Sequence, residues 1–284
     1  MNIRIKFSKM QGTGNDFVMI DARDMIEDWK NLAKVMCRNH FGIGADGIII
    51  VQNSTKADLK MRIFNADGSE AQICGNGLRC FAKFSIERKI VKGPDFYVET
   101  LAGIKLVQST ISDGKVSQVK VNMGQPNFKP ANIPVSLSEK HDRDQISDYP
   151  LNILGSDYKL SFVSMGNPHA VCFLGQDVYD FALSEIGPLI ENHPIFPQRT
   201  NFEIVNKIDG THLKARVWER GVGETLACGS GACAIAVVSH LKKLINETVD
   251  IILSGGILTI SWNGSGDVFL KGPVEEVYTG EYLL

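Results

Sequence analysis

The chain contains one stretch twice, and this internal repeat restricts the possible folds more than any other feature. In the first copy a predicted strand starting at Leu59 leads through a turn to Cys74 and an apolar helix. In the second copy Leu213 starts the strand and Cys228 precedes the helix, at a constant offset (228 − 74 = 154). Between Leu59 and Gly77, seven positions are identical at this offset: Leu59/Leu213, Lys60/Lys214, Arg62/Arg216, Glu70/Glu224, Cys74/Cys228, Gly75/Gly229 and Gly77/Gly231. Chance does not keep register across a strand, a turn and a helix start, so the sequence predicts two copies of one structural unit.

The composition is that of a globular protein with two domains. A length of 284 residues suits two cores of ordinary size, and 44% hydrophobic with 22% charged residues is typical of a soluble chain. The net charge of −2 provides no basic field for nucleic acid or an anionic membrane. No apolar signal region and no run of roughly 20 apolar residues is present. We therefore expect a cytoplasmic protein without nucleic-acid or membrane partners.

The repeat also predicts the domain organisation. Residues 1–126 form an N-terminal repeat domain that carries Cys74, and residues 127–273 form a C-terminal repeat domain that carries Cys228. The tail, 274–284, has no counterpart in the repeat and is expected to complete the first domain. Short strands predominate, and the helix after Cys228 is apolar on nearly all sides, as buried helices are. The fold class predicted is α/β (α+β), with a strand-rich shell around one central helix in each domain.

Hydrophobic spacing predicts the individual elements. Helices are expected over residues 28–37, 75–90 and 181–190, in addition to the second cysteine helix. The polar stretch 138–148 predicts a solvated loop. Strands are predicted at 3–8, 17–21, 48–51, 59–64, 96–99, 103–108, 118–123, 160–164, 170–174 and 199–205.

The two repeated cysteines carry the chemistry that this sequence suggests. Six cysteines are present, but no C-x-x-C pair and no Cys/His cluster with zinc-finger spacing, so no metal site is predicted. A reducing cytosol also argues against a structural disulfide framework. A thiol at a helix N-terminus is expected to have a lowered pKa, because unpaired N–H groups and the helix dipole favour the thiolate. The glycines beside Cys74 and Cys228 let the same N–H groups bind a carboxylate.

Two such sites meeting at one carbon would form a two-base catalyst. A thiolate on one face can remove a proton, and a thiol on the other face can return one, which is racemisation or epimerisation. A chemically symmetric reaction of this kind suits a duplicated unit. Two other interpretations remain open at this point: both cysteines are ordinary core residues that follow glycine turns, or Cys74 and Cys228 form a reversible disulfide.

The residues around both cysteines resemble a known family. Residues 65–77 (Asn-Ala-Asp-Gly-Ser-Glu-Ala-Gln-Ile-Cys-Gly-Asn-Gly) and 219–231 (Glu-Arg-Gly-Val-Gly-Glu-Thr-Leu-Ala-Cys-Gly-Ser-Gly) resemble the two signatures of the diaminopimelate epimerases. Residues 9–17 and 166–169 fit as well, so the resemblance covers nearly the whole chain. It implies an isomerase that inverts one α-carbon of LL-2,6-diaminopimelate to the meso isomer, in lysine and peptidoglycan precursor biosynthesis, without pyridoxal phosphate or another cofactor. It also implies that each domain is a mostly antiparallel strand barrel around its helix, and that the chain assembles as a homodimer.

The resemblance assigns a role to each matching residue. Cys74 and Cys228 are the acid–base pair. The groups expected to hold the reacting α-carboxylate are Gly75, Asn76, Gly229 and Ser230. The groups expected to fix the amino groups and the distal carboxylate are Asn15, Asn65, Asn167, Asn201 and Arg220. Glu219 and His169 are expected beside the cysteines, where Glu219 can bind the reacting amine and both can tune the thiols. Gly47 departs from the pattern, because some members have glutamine there, and a neighbouring group or water must replace that contact.

Three rival functions remain at this stage. The nearest is a related cofactor-independent racemase of another amino acid, such as proline or histidine. Arg220 with several asparagines favours a substrate that is polar at both ends, which proline is not. A non-catalytic amino-acid-binding protein and a thiol oxidoreductase are the rivals from other classes.

Overall fold

A computed structural model describes residues 4–137 and 147–283, and over these residues it has eighteen strands and four α-helices. The helices are α1 (Trp29–Met36), α2 (Gly75–Glu87), α3 (Leu183–Glu191) and α4 (Gly229–Leu241). The strands are β1 (Arg4–Gly12), β2 (Asn15–Asp21), β3 (Gly47–Gln52), β4 (Leu59–Asn65), β5 (Glu70–Ala71), β6 (Asp95–Thr100), β7 (Gly103–Ser112), β8 (Lys115–Gly124), β9 (Tyr149–Ile153), β10 (Ser156–Ser164), β11 (Pro168–Phe173), β12 (Asn201–Lys207), β13 (His212–Glu219), β14 (Gly223–Thr225), β15 (Thr248–Leu253), β16 (Gly256–Ser261), β17 (Val268–Pro273) and β18 (Glu275–Leu283).

The chain divides into two compact units. The first comprises Met1–Asn122 together with Lys271–Leu284, and the second comprises Met123–Leu270. The sequence predicts the domain borders after residue 126 and after residue 273. The last strand, β18, pairs antiparallel with β1, with Arg4 opposite Leu283, and so adds the end of the chain to the first unit.

The first unit surrounds α2 with strands. β1 and β2 form an antiparallel hairpin, β2 runs parallel to β3, and β3 pairs antiparallel with β4. β4 then runs parallel to β6, and antiparallel pairs join β6 to β7 and β7 to β8. Every residue of α2 from Gly75 to Ser85 is buried, so this helix occupies the centre of the unit. Its polar residues Asn76, Arg79 and Lys83 are buried as well, and they make hydrogen bonds inside the unit.

The second unit repeats the same connections around α4. β10 and β11 are antiparallel, β11 is parallel to β12, β12 is antiparallel to β13, and β13 is parallel to β15. The helix is apolar all round, and its residues from Gly231 to Ser239 are buried. α2 and α4 start 154 residues apart (229 − 75 = 154), the offset of the sequence repeat. The predicted fold class, two repeated α/β units with mostly antiparallel strands around a central helix, is therefore confirmed.

Two of the identical positions form the same ion pair in both units. Arg62 on β4 contacts Glu70 through two hydrogen bonds of 2.6 and 2.9 Å. Arg216 on β13 contacts Glu224 through two of 2.7 and 2.9 Å. Each pair joins the strand before the cysteine to the turn that leads into it. Bidentate contacts of this kind fix geometry, so the pair helps to position the start of each central helix.

The Arg62–Glu70 pair gives a prediction about stability and pH. We expect Glu70→Gln to lower the free energy of unfolding at pH 7 by about 1 kcal/mol, because a half-buried bidentate pair is lost. The hydrogen bond from Arg62 lowers the pKa of Glu70. The stabilisation is therefore present above the unfolded pKa of about 4.3 and is lost as pH falls through the lower folded pKa. Urea unfolding should show a difference at pH 7 that disappears in strong acid, whereas Glu247→Gln, at an exposed position, should change stability little at either pH.

The sequence placed most elements well and a few badly. α2 was predicted to continue to residue 90 but ends at Glu87, where Arg88 forms the C-terminal cap. β9 was not predicted, although it forms an antiparallel hairpin with β10 across the turn at Leu154 and Gly155. The solvated loop predicted at 138–148 falls, from 138 to 146, outside the described residues. No helix in the described part of the chain is both long and apolar enough to span a membrane.

Candidate active site

Each repeated cysteine caps its own central helix with its sulfur. Cys74 is the N-cap of α2, in extended conformation, and the Gly77 N–H donates to Cys74 Sγ at 3.4 Å. Cys228 is the N-cap of α4, and the Gly231 N–H donates to its Sγ at the same distance. The first N–H groups of a helix have no partner within the helix, so each sulfur lies beside a cluster of anion-binding donors. This geometry is what the sequence predicted for both positions.

In the first unit three predicted site residues meet at the start of α2. Cys74 Sγ lies 3.5 Å from Asn15 Oδ1, and Asn76 Nδ2 lies 3.4 Å from the same oxygen. The Asn15 side chain is held from its other end by Asp46, because its Nδ2 donates to Asp46 Oδ2 at 2.6 Å. Gly75 is buried at the first position of the helix. The structure therefore places Gly75, a fourth residue expected in the site, next to Asn15, Cys74 and Asn76 at the start of α2.

A buried arginine that the sequence reasoning missed supports this group. Arg79 is fully buried in α2, and its Nη1 donates to Asn76 Oδ1 at 2.8 Å. Its Nη2 donates to Thr13 Oγ1 at 3.1 Å, and its Nε donates to the Pro273 carbonyl at 3.0 Å. Burial lowers the pKa of Arg79 to about 10. A charged residue five positions after Cys74, within a helix expected at the centre of its domain, was the signal in the sequence.

Asn65 and Gly47 lie opposite each other on β4 and β3. The Asn65 side chain is exposed and donates to Ser69 Oγ at 3.0 Å, so in this structure it stabilises the turn after β4. A Cβ atom at Gly47 would lie 2.6 Å from the Phe64 carbonyl oxygen. The backbone of β4 therefore takes the place of a side chain at position 47, which leaves no room for the glutamine that some relatives have.

In the second unit the predicted residues form a continuous polar chain. Cys228 Sγ lies 3.5 Å from Ser230 Oγ, and Asn167 Nδ2 donates to the same hydroxyl at 3.3 Å. Asn167 Oδ1 lies 3.0 Å from His169 Nε2. His169 is fully buried, and its Nδ1 lies 2.6 Å from Glu203 Oε1. Glu203 was not predicted; a carboxylate between the apolar residues Phe202 and Ile204 of β12 was the available signal.

The remaining predicted residues of this unit lie around the turn after β13. Asn201 is buried and connects two loops, because its Nδ2 donates to the Pro168 carbonyl at 2.7 Å while its Oδ1 accepts the Arg220 N–H at 2.9 Å. Arg220 is half-buried, and its Nη1 donates to the Gln198 carbonyl at 3.1 Å. Asn201 therefore fixes the backbone from which the Arg220 side chain extends.

Glu219 and burial together determine the state of the Cys228 thiol. Cys228 is 5% exposed, and desolvation raises its pKa well above the usual value. The negative charge of Glu219 raises the pKa further, whereas the hydroxyl of Ser230 and the N–H of Gly231 lower it. The lowered pKa that the sequence predicted is wrong for Cys228, because desolvation outweighs the helix N-terminus. Cys228 is therefore a thiol in this structure.

Cys80 and Cys233 lie within α2 and α4 and are fully buried, and burial raises the pKa of Cys80 to about 12. These two behave as the small core residues that the sequence suggested. The helix-cap position distinguishes Cys74 and Cys228 from them.

The fold and the two N-cap cysteines define a duplicated α/β protein with one cysteine at the start of each central helix. The family model described as diaminopimelate epimerase matches residues 7–129 and 161–280, and the two matches start 154 residues apart (161 − 7 = 154). A diaminopimelate epimerase of Acetivibrio thermocellus is 46% identical over 279 residues, covering 98% of each chain. One of Desulfovibrio desulfuricans is 43% identical over 288 residues, covering both chains completely. The chain belongs to the diaminopimelate epimerase family.

Solved structures with the same fold are more distant in sequence. A hydroxyproline epimerase from Agrobacterium vitis has a TM-score of 0.73 at 14% identity, covering 99% of this chain and 91% of its own. A phenazine biosynthesis protein of the PhzF family from Bacillus anthracis has a TM-score of 0.71 at 15% identity, covering 99% and 100%. At this level of identity the comparison shows the fold alone.

Proposed function

We propose that this chain catalyses the epimerisation of LL-2,6-diaminopimelate to the meso isomer by a two-base mechanism. The main support for this proposal is that two cysteines, Cys74 and Cys228, cap equivalent buried helices in a chain of this family. One sulfur, as thiolate, takes the α-proton and becomes a thiol. The other thiol delivers its proton to the opposite face of the carbon and becomes a thiolate. Charge and protons balance, and the reverse reaction uses the same groups with their roles exchanged.

We call the residues around Cys74 at the start of α2 the first half-site and those around Cys228 at the start of α4 the second. The proposed mechanism requires both half-sites to act on one substrate molecule. The N–H groups at the helix starts, from Gly75 and Asn76 and from Gly229 and Ser230, bind the reacting α-carboxylate. Their partial positive charges also stabilise the charge that develops on the carboxylate when the α-proton leaves. Negative charge left on the α-carbon can move into a hydrogen-bonded carboxylate. A thiolate can remove the α-proton because the carboxylate accepts this charge.

The other predicted residues select the substrate. Arg220 is proposed to hold the distal carboxylate, because its guanidinium matches a carboxylate bidentately. Amide groups of Asn15, Asn65, Asn167 and Asn201 are proposed to hold the amino groups. Glu219 is proposed to accept a hydrogen bond from the reacting amine and, with His169, to tune Cys228. The Thr225 hydroxyl donates to Glu219 Oε1 at 2.5 Å, which holds this carboxylate beside the second half-site.

Proton exchange in D₂O tests this proposal directly. The reduced full-length protein is incubated with LL-diaminopimelate, with no cofactor added, and NMR follows the α-proton while chiral chromatography follows the stereoisomers. We expect deuterium at the α-carbon together with conversion to the meso form. Absence of exchange with this substrate, but exchange with proline, histidine or another amino acid, would show a related racemase instead. Binding without exchange of any amino acid would show a binding protein.

The location and assembly expected from the resemblance belong to the same proposal. We infer a cytoplasmic homodimer without nucleic-acid or membrane partners. Light scattering of the purified chain should give twice its mass of 31.2 kDa. A mass equal to one chain across the working concentration range would contradict the homodimer but not the reaction.

A further inference from the structure

A carboxyl group that no part of the proposed mechanism uses lies beneath the second half-site. Glu203 on β12 and His169 on the neighbouring parallel strand β11 are both fully buried. Glu203 Oε1 lies 2.6 Å from His169 Nδ1. Buried ionisable groups are costly, and a protein can replace such a pair by apolar residues with little loss of stability.

The first unit shows that the fold does not need this pair. The repeat offset places Ile49 at the position of Glu203 (203 − 49 = 154). Phe17, which pairs with Gly47, corresponds to His169, which pairs with Asn201. Both counterparts are fully apolar and buried. The acidic group and the imidazole are therefore additions to the second unit that packing does not explain.

The Glu203–His169 pair is the first link of a chain of hydrogen bonds that ends at Cys228 Sγ. His169 Nε2 lies 3.0 Å from Asn167 Oδ1, and an amide oxygen can only accept, so Nε2 carries a proton. Asn167 Nδ2 then donates to Ser230 Oγ at 3.3 Å. A hydroxyl that already accepts from one side is free to direct its own hydrogen to Cys228 Sγ, 3.5 Å away. Each bond in this chain fixes the direction of the next.

Glu203 supplies the proton that sets this direction. With Nε2 protonated, a neutral imidazole has a bare Nδ1, which needs a donor. Burial raises the pKa of Glu203 and is the largest influence, and the negative charge of Glu219 acts in the same direction, while His169 and the backbone N–H of Ala170 oppose it. Glu203 Oε2 has no hydrogen-bond partner among the described residues, which suits a carboxylic acid better than a carboxylate. The acid proton on Oε1 therefore donates to Nδ1.

We propose that Glu203 is a positioning residue that, through His169 and Asn167, makes the Ser230 hydroxyl a hydrogen-bond donor to Cys228 Sγ. The donor stabilises negative charge on this sulfur in the step in which Cys228 has lost its proton. This offsets part of the burial and the Glu219 charge that oppose its ionisation. The inference rests on the proposed function, because it assigns Cys228 a thiolate state during turnover.

Three variants test the chain of bonds. Glu203→Gln keeps a donor, its amide N–H, facing Nδ1 and should preserve the direction of the whole chain. Glu203→Ile copies the first unit and removes the donor. The double variant His169→Phe/Glu203→Ile copies both counterparts and leaves no buried imidazole without a partner, so it serves where the single isoleucine variant does not fold.

The first measurement is the protonation of the His169 ring by ¹⁵N NMR of the histidine side chains, with His169→Phe identifying its signals. We expect Nε2 protonated in the wild type and in Glu203→Gln. A bare Nε2 in the wild type would overturn the proposal. This readout needs no substrate, so it remains decisive even if the proposed function fails in the D₂O assay.

The second measurement is steady-state kinetics with both stereoisomers. We expect kcat to fall about 10–100-fold in Glu203→Ile and in the double variant, with KM changed less than about threefold, because a donor to a developing charge is lost. Glu203→Gln should keep at least about a third of the wild-type kcat. Equal losses in the glutamine and isoleucine variants, or full kcat in the double variant, would show that the pair has only a structural role.

Discussion

Cys74→Ser and Cys228→Ser should each lose conversion of LL- to meso-diaminopimelate by about 10²–10⁴-fold, the range for removal of a positioned acid or base. Serine keeps an oxygen at the N-cap that can accept the N–H of Gly77 or Gly231, so each helix start should stay intact. A hydroxyl is far less acidic than a thiol and cannot serve as the base near neutral pH. The loss should therefore appear in kcat, with the unfolding transition almost unchanged. Chiral chromatography of timed reactions measures the rate in both directions.

Cys80 and Cys233 provide matched controls in the same two helices. Both are fully buried and lie within the helix rather than at its cap. Cys80→Ala and Cys233→Ala should keep kcat within about twofold, with a modest loss of stability from the missing sulfur. If either cap serine variant kept more than a tenth of the wild-type rate, the two-base assignment would be wrong. If the control variants lost activity equally, the cap position would have no special role.

Arg79→Met should combine a loss of activity with a large loss of stability. The methionine fills the volume but removes one donor from each of three acceptors: Asn76 Oδ1, Thr13 Oγ1 and the Pro273 carbonyl. Each lost bond to a buried acceptor costs about 1–3 kcal/mol, and relief of the buried charge offsets part of this, so we expect about 3 kcal/mol in total. The Asn76 amide loses one of the hydrogen bonds that fix its orientation, and kcat should fall about 10–100-fold.

A variant of Lys83 can separate the loss of activity from the loss of stability, because Lys83 is a second buried cation one turn further along α2. Its Nζ donates to Glu87 and to the Val116 carbonyl, both at 2.7 Å, away from the start of the helix. Lys83→Met should therefore lower the urea midpoint as Arg79→Met does but keep kcat within about twofold. Equal kcat values for the two variants at a temperature where both are folded would contradict a role of Arg79 in the site.

The repeat explains how much of the fold the sequence could predict. Glycines, apolar runs and the constant offset located both central helices and most strands within a few residues. β9 was missed because its sequence, Tyr149–Ile153, borders a long polar stretch and has no counterpart in the pattern. The end of α2 was placed too late because residues 88–90 continue the composition of the helix, while the turn that stops it depends on the backbone at Lys89, which has a positive φ of 56°.

Only the motif residues of the candidate site could be predicted from the sequence, and the buried residues that contact them could not. Motif residues such as Asn15, Ser230 and Asn167 were identified from the sequence. The buried side chains that help to orient the site, those of Arg79 and Glu203, were not. Arg79 and Glu203 lie in stretches that otherwise fit a buried helix and a buried strand, and spacing alone does not show which side chain they reach. The raised pKa of Cys228 was missed for a related reason: sequence indicates a helix start but not how completely the thiol is removed from water.

The pairing of β18 with β1 affects how the chain is made. Synthesis runs from the N-terminus, so β1 leaves the ribosome followed at once by β2, whereas its other neighbour, β18, is translated only after the whole second unit, Met123–Leu270. A nascent chain stalled before residue 275 would therefore contain one finished unit and one with an open sheet edge, the kind of edge that recruits chaperones or foreign strands. Translation of β18, rather than of the residues before it, is the event that completes the sheet of the first unit.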